Sequence, residues 1–481
     1  MVASQFHRKS GIAYSLAVLR MLPRGVVQYA TNSRMARLLR FAGALGAFCT
    51  LVALIGSSPL TSQTPPTFIK SADMSGALFL TTSGFPWDGN TSATLDAPFQ
   101  DLENNGVNYV RLNCWYSTTS SSQGLNLSNL QDVAEIAVAH NMQIYIDAIP
   151  ADGGNAFQSN PSEWQTDWNT ATENGTNFNW DSTRGAALAA DVRDYYNNIV
   201  TTLEADPNIY PSGIEYGYGQ GPIGIVSIGN EINDYFVDVP SGTSLYYELV
   251  YKGAAGVKSA DPNIMVMLHL HDIGSSQWNL AHQLADAHSL YGTPQIDFNI
   301  FGFSFHSFDN PLTNPSWEGS DGASSNGQTI GLVQAFQSEN FGQFTNVTTN
   351  QPDSGTPIYL MVAETEWPWT GTAETVNGVS YPISKPSASD YVQDDSGYTN
   401  YQIDASGARQ YLEDEMTDVS GMNDGLGIGV NDWAASVITG WPASAPVSHG
   451  DYNWAFWDSA SGDLITSRDG SAMISAYSLS Y

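Results

Sequence analysis

The stretch Ile223-Gly224-Ile225-Val226-Ser227-Ile228-Gly229-Asn230-Glu231 is an apolar run that stops on an amide and a carboxylate. Such a short run is typical of a strand buried on both faces, as in a parallel sheet. The run 358–363 leads in the same way into Glu364. Barrel enzymes place their chemistry just past the C-terminal ends of their strands. Glu231 and Glu364 are therefore candidates for a pair facing one cleft, and the alternative is two unrelated surface glutamates.

Outward from these two strands, short apolar runs alternate with amphipathic segments along the chain. The predicted strands are residues 67–73, 108–113, 142–147, 223–228, 264–268, 300–305, 358–363 and 426–431. The predicted helices are residues 95–105, 130–141, 184–205, 245–260, 278–291, 329–340 and 408–420. Eight strands separated by crossover helices predict an α/β fold, a (β/α)8 TIM barrel forming a single catalytic domain. The alternative, an open doubly wound sheet, usually has fewer strands and a glycine-rich loop after the first, which this chain lacks.

Two polar segments predict long βα loops at one end of the barrel. Residues 151–183 follow the third predicted strand and residues 370–400 follow the seventh, and both are rich in Gly, Ser, Thr, Asn and Asp. Loops that follow barrel strands surround the active-site face, so we expect these segments to form its rim.

The N-terminal segment, residues 1–62, has the pattern of a secretory signal. A basic stretch at 37–40 precedes an apolar run at 41–56 and then small residues, and the true start is expected at Met35. An uncleaved signal anchor is the alternative. The barrel domain would then span residues 63–481 and be secreted, with no stable membrane association after cleavage. Four glycosylation sequons in that domain are candidates for modification, at Asn90, Asn126, Asn174 and Asn346.

The composition is acidic, with 48 Asp and Glu against 16 Lys and Arg, and seven of the basic residues precede Gln63. Such a surface repels nucleic acid and anionic membranes, so neither is expected as a partner. Of the two cysteines, Cys49 lies in the N-terminal apolar run and only Cys114 in the barrel domain, which excludes a disulfide framework. No Cys and His cluster has metal-site spacing, and we predict no metal and no cofactor.

Two glutamates in one cleft are the groups that cleavage of a glycosidic bond requires. One carboxyl protonates the leaving oxygen, and the other attacks the sugar or activates water. Their surroundings must hold their pKa values apart so that one carboxyl keeps its proton. A neutral polysaccharide is the partner that suits this chemistry and the acidic surface.

The sequence resembles glycoside hydrolase family 53, the arabinogalactan endo-β-1,4-galactanases, over roughly residues 67–480. The stretch 227–232, Ser-Ile-Gly-Asn-Glu-Ile, is similar to the acid/base motif of that family, and 363–368, Ala-Glu-Thr-Glu-Trp-Pro, to its nucleophile motif. Further similarity lies in the first two strands, at 68–73 and 106–111, and in the helix and strand at 253–258 and 264–270. The Asn-Glu pair is common to many barrel glycosidases, whereas the nucleophile motif with the opening strand is more specific.

The resemblance assigns a role to five residues. Glu231 would be the proton donor and Glu364 the nucleophile. Asn230 would bind the substrate 2-hydroxyl, and Arg111 would orient Glu364 and hold it ionised, unless it is an ordinary salt bridge. Trp433, after the last strand, would be a sugar platform, with a core tryptophan as the alternative.

The chain departs from the family at four places near the expected sugar subsites. Phe305-His306-Ser307 stands where the family has a tyrosine, so His306 either contacts Glu364 or is a structural histidine. Residues 149–152 replace a His-Tyr-Ser-Asp run, Asn113 replaces an arginine, and Ala434-Ala435 follows Trp433 in place of Glu-Pro. These changes spare the catalytic pair but affect the expected substrate.

The resemblance implies a retaining endo-β-1,4-galactanase that acts as a monomer on the galactan of plant cell-wall arabinogalactan. Its carboxyl groups would lie about 5–5.5 Å apart. The alternatives are a retaining β-glycanase acting on mannan or glucan, and an inactive carbohydrate-binding surface glycoprotein.

Overall fold

A computed structural model describes most of the barrel domain. The described residues are 67–90, 92–118, 124–153, 158–214, 216–271, 280–281, 283–285, 287–292, 294–305, 345–346, 351–352, 358–365, 374–376, 379–381, 405–422, 425–433, 435–436, 456–457, 464 and 472–480. The predicted signal segment, the helix at 329–340 and His306 lie outside these ranges. The domain boundary at residue 63 therefore stays a prediction.

Eight parallel strands close into a barrel in the order of the chain, each pairing with the next and the last with the first. They are β1 Ile69–Asp73, β2 Tyr109–Ser117, β3 Gln143–Asp152, β4 Ile223–Ile228, β5 Met265–His271, β6 Ile300–Phe305, β7 Tyr359–Thr365 and β8 Gly427–Asp432. The predicted TIM barrel is confirmed. Three short antiparallel ribbons lie outside it, pairing Tyr235–Phe236 with Val239–Pro240, Thr345–Asn346 with Gln351–Pro352, and Glu374–Val376 with Val379–Tyr381.

The helices follow the strands as predicted, with two additions in the loops. They are α1 Ala77–Thr82, α2 Asp96–Asn104, α3 Leu127–Ala139, α4 Gln165–Ala171, α5 Ala186–Glu204, α6 Ser244–Ala260, α7 Ala287–Tyr291 and α8 Ala405–Ser420. The sequence did not predict α1 and α4, because each is too short to show a helical period. The side chains of Asn126 and Thr243 cap α3 and α6 by accepting a backbone N–H.

Strands β2 and β3 run beyond their predicted ends by four and five residues. They stay paired from Tyr109 and Gln143 as far as Ser117 and Asp152, with an irregularity after Trp115. Apolar residues at 148–151 let β3 continue past the rim, where its side chains stay buried as far as Ala151. We call these extensions, residues 114–117 of β2 and 148–152 of β3, the overhang. The overhang includes the first residues of the loop that we predicted to begin at residue 151.

The barrel interior is filled at its N-terminal end by large side chains. Tyr109, Tyr145, Met265, Met267 and Tyr359 belong to one buried cluster, joined by Ile69, Ile225, Ile300, Met361, Ala363 and Ile428. Glycine is required at Gly224, where the Tyr109 side chain packs against the backbone of β4. A Cβ at position 224 would lie 2.3 Å from the Tyr109 hydroxyl. The packed interior leaves only the opposite end of the barrel for chemistry.

The C-terminal segment is anchored to the first strand. The Lys70 ammonium donates to the carbonyl oxygens of Tyr477 and Leu479, at 2.6 and 2.8 Å, and the Tyr477 hydroxyl donates to the Ser71 carbonyl at 2.9 Å. These bonds tie the 3₁₀ turn Met473–Ser478 to β1. Within the described part of the chain, no helix combines the length and the apolar content needed to cross a bilayer.

We expect the stability of the protein to depend on pH through Glu204, at the end of α5. Burial and, to a smaller extent, the neighbouring Asp261 raise its pKa to about 7. An acid whose folded-state pKa is raised costs stability as the pH rises from its unfolded value towards about 7. We expect Glu204→Gln to raise the Tm at pH 8 by ~2 °C and to have little effect near pH 4, as measured by thermal unfolding across pH. Asp194→Asn, at an exposed carboxyl of the same helix, is the control; an equal pH dependence in both variants would contradict the assignment.

Candidate active site

The backbone that carries Glu231 turns sharply at the end of β4. Gly229 has φ +72° and Glu231 has φ +47°, a conformation that costs energy in a residue with a side chain. The Gln158 side-chain amide donates to the carbonyl oxygens of Asn230 and Glu231, at 3.4 and 3.1 Å. The Ile232 N–H donates to the His269 carbonyl at 3.0 Å. These bonds hold the Glu231 carboxyl over the barrel mouth.

Glu364 is aimed by an irregularity in β7. The pairing register with β6 shifts between Val362 and Glu364, and the register with β8 shifts in the same segment. Such irregularities are common beside active sites, where they redirect a side chain. The Glu364 carboxylate is 8% exposed and lies 2.6 Å from Nη2 of Arg111.

The two glutamates, 133 positions apart in the chain, meet across the barrel mouth. One carboxylate oxygen of Glu231 and one of Glu364 lie within 4.8 Å of each other, together with a ring nitrogen of His269. The Ser304 hydroxyl lies 2.5 Å from Oε1 of Glu231 and 3.4 Å from Oε2 of Glu364. The expectation that the acidic pair shares one cleft therefore holds in the structure.

Arg111 is a buried cation shared by several groups. Its guanidinium lies 2.6 Å from Glu364 and from Asp147, and 3.2 Å from Asp73. Its Nη2 also donates to Oδ1 of Asn230 at 2.8 Å. Burial opposes the charge of Arg111, but the facing carboxylates hold its pKa above the ordinary value. Arg111 thus pairs with the Glu364 carboxylate and fixes the Asn230 amide.

Three buried carboxyl groups, those of Asp73, Asp147 and Glu364, face the single positive charge of Arg111. Burial raises the pKa of Asp147 to about 7, although Arg111 acts to lower it, and the charge of Glu364 adds to the rise. Burial also raises the pKa of Asp73. One guanidinium cannot neutralise three buried carboxylates, so the cluster favours retaining a proton near neutral pH.

Four of the six residues predicted for the site, Glu231, Glu364, Asn230 and Arg111, are brought together. Trp433 follows β8, is partly exposed, and its backbone N–H donates to the Thr365 carbonyl at 3.2 Å. It therefore lies at the same end of the barrel, and its role as a sugar platform stays a prediction. His306 lies outside the described residues.

Four polar residues of the site were not predicted from the sequence. Asp73 and Asp147 each end a predicted strand, so the signal that singled out the two glutamates was present for them as well. Ser304 and His269 gave no such signal, because they lie within or against apolar runs. Both are fully buried.

The atoms of Glu231, His269 and Glu364 are close enough to suggest a metal site, but a hydroxyl lies among them. Besides its contacts with the two glutamates, Ser304 Oγ lies 2.9 Å from Nε2 of His269. These three groups already converge on Ser304, and we assign them to hydrogen bonding. Chemistry without a metal or cofactor stays a prediction.

A pair of carboxyls across the mouth of a closed (β/α)8 barrel, one of them held by a buried arginine, defines a barrel glycoside hydrolase. The chain belongs to glycosyl hydrolase family 53, whose model matches residues 69–461. The chain is 26% identical over 386 residues to arabinogalactan endo-beta-1,4-galactanase A of Aspergillus niger, covering 78% of this chain and 87% of that protein. It is 24% identical over 400 residues to an endo-beta-1,4-galactanase of Bacillus subtilis, covering 81% and 74%.

Solved structures share the fold. One, from a study of two fungal beta-1,4-galactanases, has a TM-score of 0.55 at 19% identity and covers 86% of this chain and 99% of that one. The family 53 catalytic domain of Ignisphaera aggregans has a TM-score of 0.57 at 20% identity, covering 88% and 100%. At these identities the similarity supports the barrel alone.

Replacing Arg111 by lysine is a direct test of the shared cation. A single ammonium cannot bond Asp73, Asp147, Asn230 and Glu364 at once, so Glu364 loses its fixed orientation. We expect Arg111→Lys to lower kcat roughly 100-fold, measured as reducing sugar released from galactan. Arg193→Lys, at an exposed arginine of α5, is the control. A kcat of Arg111→Lys near that of the wild type would show that the guanidinium geometry is dispensable.

Proposed function

We propose that this protein is a secreted, retaining endo-β-1,4-galactanase that hydrolyses the galactan of plant cell-wall arabinogalactan. The observation that carries the proposal is the gap between Glu231 and Glu364, with oxygens within 4.8 Å of each other. Retaining enzymes place their carboxyl groups about 5–5.5 Å apart, whereas inverting enzymes need ~6.5–9.5 Å to admit a water. Family membership and the names of the two relatives support galactan as the substrate.

The first step forms a covalent sugar–enzyme bond. The Glu364 carboxylate attacks the anomeric carbon, and the bond from that carbon to the glycosidic oxygen breaks. Its electron pair stays on the oxygen, which takes a proton from Glu231. Contact with Arg111 orients the Glu364 carboxylate for the attack.

The second step releases the sugar and restores both groups. Glu231, now a carboxylate, removes a proton from a water molecule that attacks the anomeric carbon. The bond to Glu364 breaks, and the electron pair returns to its carboxylate. Two displacements at one carbon retain its configuration, and every proton is exchanged between Glu231, the leaving oxygen and water.

Asn230 is the residue proposed to bind the 2-hydroxyl of the sugar. Its Oδ1 accepts from Arg111, an arrangement that fixes the amide and directs Nδ2 towards other partners as a donor. A hydrogen bond to the 2-hydroxyl strengthens in the transition state and would lower the barrier of both steps. Trp433 is proposed as a sugar platform, and His306 is proposed to belong to the substrate-binding residues.

Neither alternative function has an observation in its favour. The intact acidic pair and its buried arginine argue against an inactive binding protein, because a bound sugar would not require them. A mannan or glucan substrate would have to be recognised by the departures at Asn113 and residues 149–152, and none of these points to such a sugar. Galactan is therefore the substrate we propose.

Secretion, glycosylation and a monomeric state complete the proposal. Asn90 and Asn174 are exposed and suited to carry glycans. Asn126 is less suited, because its Oδ1 caps α3 and its Nδ2 donates to Thr118 at 3.2 Å. The predicted signal at residues 37–56 supports export.

Replacing the proposed nucleophile tests the assignment. We expect Glu364→Gln to lower kcat on β-1,4-galactan by at least ~10⁴-fold while galactan binding persists, since the amide cannot form the glycosyl–enzyme bond. Reducing-sugar release and affinity electrophoresis measure the two effects. Glu248→Gln, at a buried glutamate of α6, is the control expected to keep activity. Residual turnover in Glu364→Gln above one tenth of the wild-type rate would refute the role.

The stereochemistry of the first product tests the retaining mechanism separately. Time-resolved proton NMR of short β-1,4-galactan chains should show the β-anomer first, followed by slow mutarotation, because two inversions restore the configuration. Initial appearance of the α-anomer would assign the inverting mechanism and leave galactanase activity intact.

A further inference from the structure

The Ser304 hydroxyl lies at the meeting point of both catalytic carboxyls and a buried histidine. Its Oγ is 2.5 Å from Oε1 of Glu231, 2.9 Å from Nε2 of His269 and 3.4 Å from Oε2 of Glu364. Ser304 and His269 are fully buried. The hydroxyl is therefore enclosed by three groups that exchange or share protons.

Consecutive strands of the barrel build this arrangement. Glu231 follows β4, His269 lies on β5, Ser304 on β6 and Glu364 on β7. In the pairing register, Gly302 lies beside His269 and Ser304 beside Glu364. Side chains that lie beside each other on parallel strands point to the same face, so the barrel fixes the spacing of His269, Ser304 and Glu364. Glu231 lies just past β4 and is held by the bonds from Gln158.

A hydroxyl has one proton to donate and two lone pairs that accept. It can therefore donate to Glu231 or to Glu364, but not to both. The neutral His269 ring can donate through Nε2 to the Ser304 oxygen in either case. The 2.5 Å separation from Glu231, shorter than the 3.4 Å from Glu364, is typical of a hydrogen bond to a charged oxygen, so the structure shows the arrangement in which Ser304 donates to Glu231. The hydroxyl thus discriminates between the two carboxyls according to which is ionised.

We propose that Ser304 is a positioning residue whose hydroxyl turns between the two catalytic carboxyls during the reaction, with His269 holding its oxygen in place. The inference rests on the two-step mechanism proposed above. Before the first step, the proton of Glu231 lies on the oxygen that faces the glycosidic bond, while Ser304 donates to the Glu364 carboxylate. In the covalent intermediate Glu364 is esterified, and Ser304 turns to donate to the Glu231 carboxylate. Each step then starts with the ionised carboxyl solvated by the same hydroxyl.

The charged groups around this cluster are compatible with rotation of the Ser304 hydroxyl. Among the described residues, Arg111 contacts the Glu364 oxygen on the side away from Ser304, and Asp73 and Asp147 lie behind Arg111. His271 lies beside Ser304 in the register of β5 and β6. Arg111 stays beside Glu364 when the hydroxyl turns towards Glu231, a stage at which Glu364 is esterified and carries no charge.

The pH profile of a serine variant tests the proposal. Ser304→Ala removes a donor from whichever carboxylate is ionised, and such a loss raises a carboxyl pKa. We expect both limbs of the kcat/KM profile on β-1,4-galactan to move to higher pH by about one unit, and kcat at the optimum to fall roughly 10- to 100-fold with little change in KM. Ser304→Thr keeps the hydroxyl and should restore most of the profile.

A matched control separates this role from a structural one. Ser71 is also fully buried on a barrel strand, but its hydroxyl donates to Asn431 at 2.7 Å. Ser71→Ala should lower stability and leave the shape of the pH profile unchanged. If Ser304→Ala behaved like Ser71→Ala, with both limbs in place, the proposed turn would be wrong.

A measurement without substrate distinguishes failure of this inference from failure of the proposed function. Raised carboxyl pKa values in folded Ser304→Ala mean that its loss of stability, relative to wild type, grows as the pH rises from about 4 to 8. The increase of this loss of stability with pH should be smaller when both proteins also carry Glu231→Gln. A loss that is the same at every pH would overturn the inference even if galactan is cleaved. The expected growth would uphold the hydrogen-bonding role of Ser304 even if galactan is not the substrate.

Discussion

The burial of one guanidinium at the barrel mouth is the constraint on which the site depends. Arg111 is 2% exposed, and a charge so buried must be compensated by facing groups. The carboxyls that compensate it come from β1, β3 and β7, and the amide of Asn230 comes from the end of β4. Closure of the barrel therefore brings these strand ends around one cation. The orientation of Glu364 follows from this charge balance, and no flexible loop is needed to set it.

Departures from regular backbone geometry occur at both members of the catalytic pair, as they do elsewhere in the barrel. Glu231 has a positive φ and Glu364 follows a register shift in β7, while β4 itself is buried throughout. A regular parallel strand would direct alternate side chains into the barrel or out of it. Strain at the two glutamates brings both carboxyls over the mouth, and bonds from Gln158 and Arg111 keep them there. The fold is thus rigid enough to hold two acids at a distance that unsupported side chains would not maintain.

The fold and the charged residues at the centre of the site were predictable from the sequence. The hydrogen-bonding cluster of Ser304 and His269 was not. Periodicity predicted all eight strands because each is an apolar run bounded by turn residues. Glu231 and Glu364 were predictable because a carboxyl directly after a buried strand is conspicuous, as are Asp73 and Asp147. Ser304 and His269 belong to apolar strands, and only the register between β5, β6 and β7 shows that they face the glutamates. The extension of β3 to Asp152 was missed because Pro150 argues against a strand interior.

We propose that catalysis and recognition depend on different parts of this barrel, which would let a chain 26% identical to its relative keep the chemistry. The proposed catalytic groups lie on or directly after barrel strands, where packing fixes them. Of the four departures from the family pattern, residues 149–152 lie on the extension of β3, where Ser117 donates to Asp152 at 2.6 Å. Gln158, in the segment after β3 that we propose to border the sugar subsites, also holds the backbone of Glu231. A change of substrate through this segment would therefore have to preserve that amide, or the acid would lose its position.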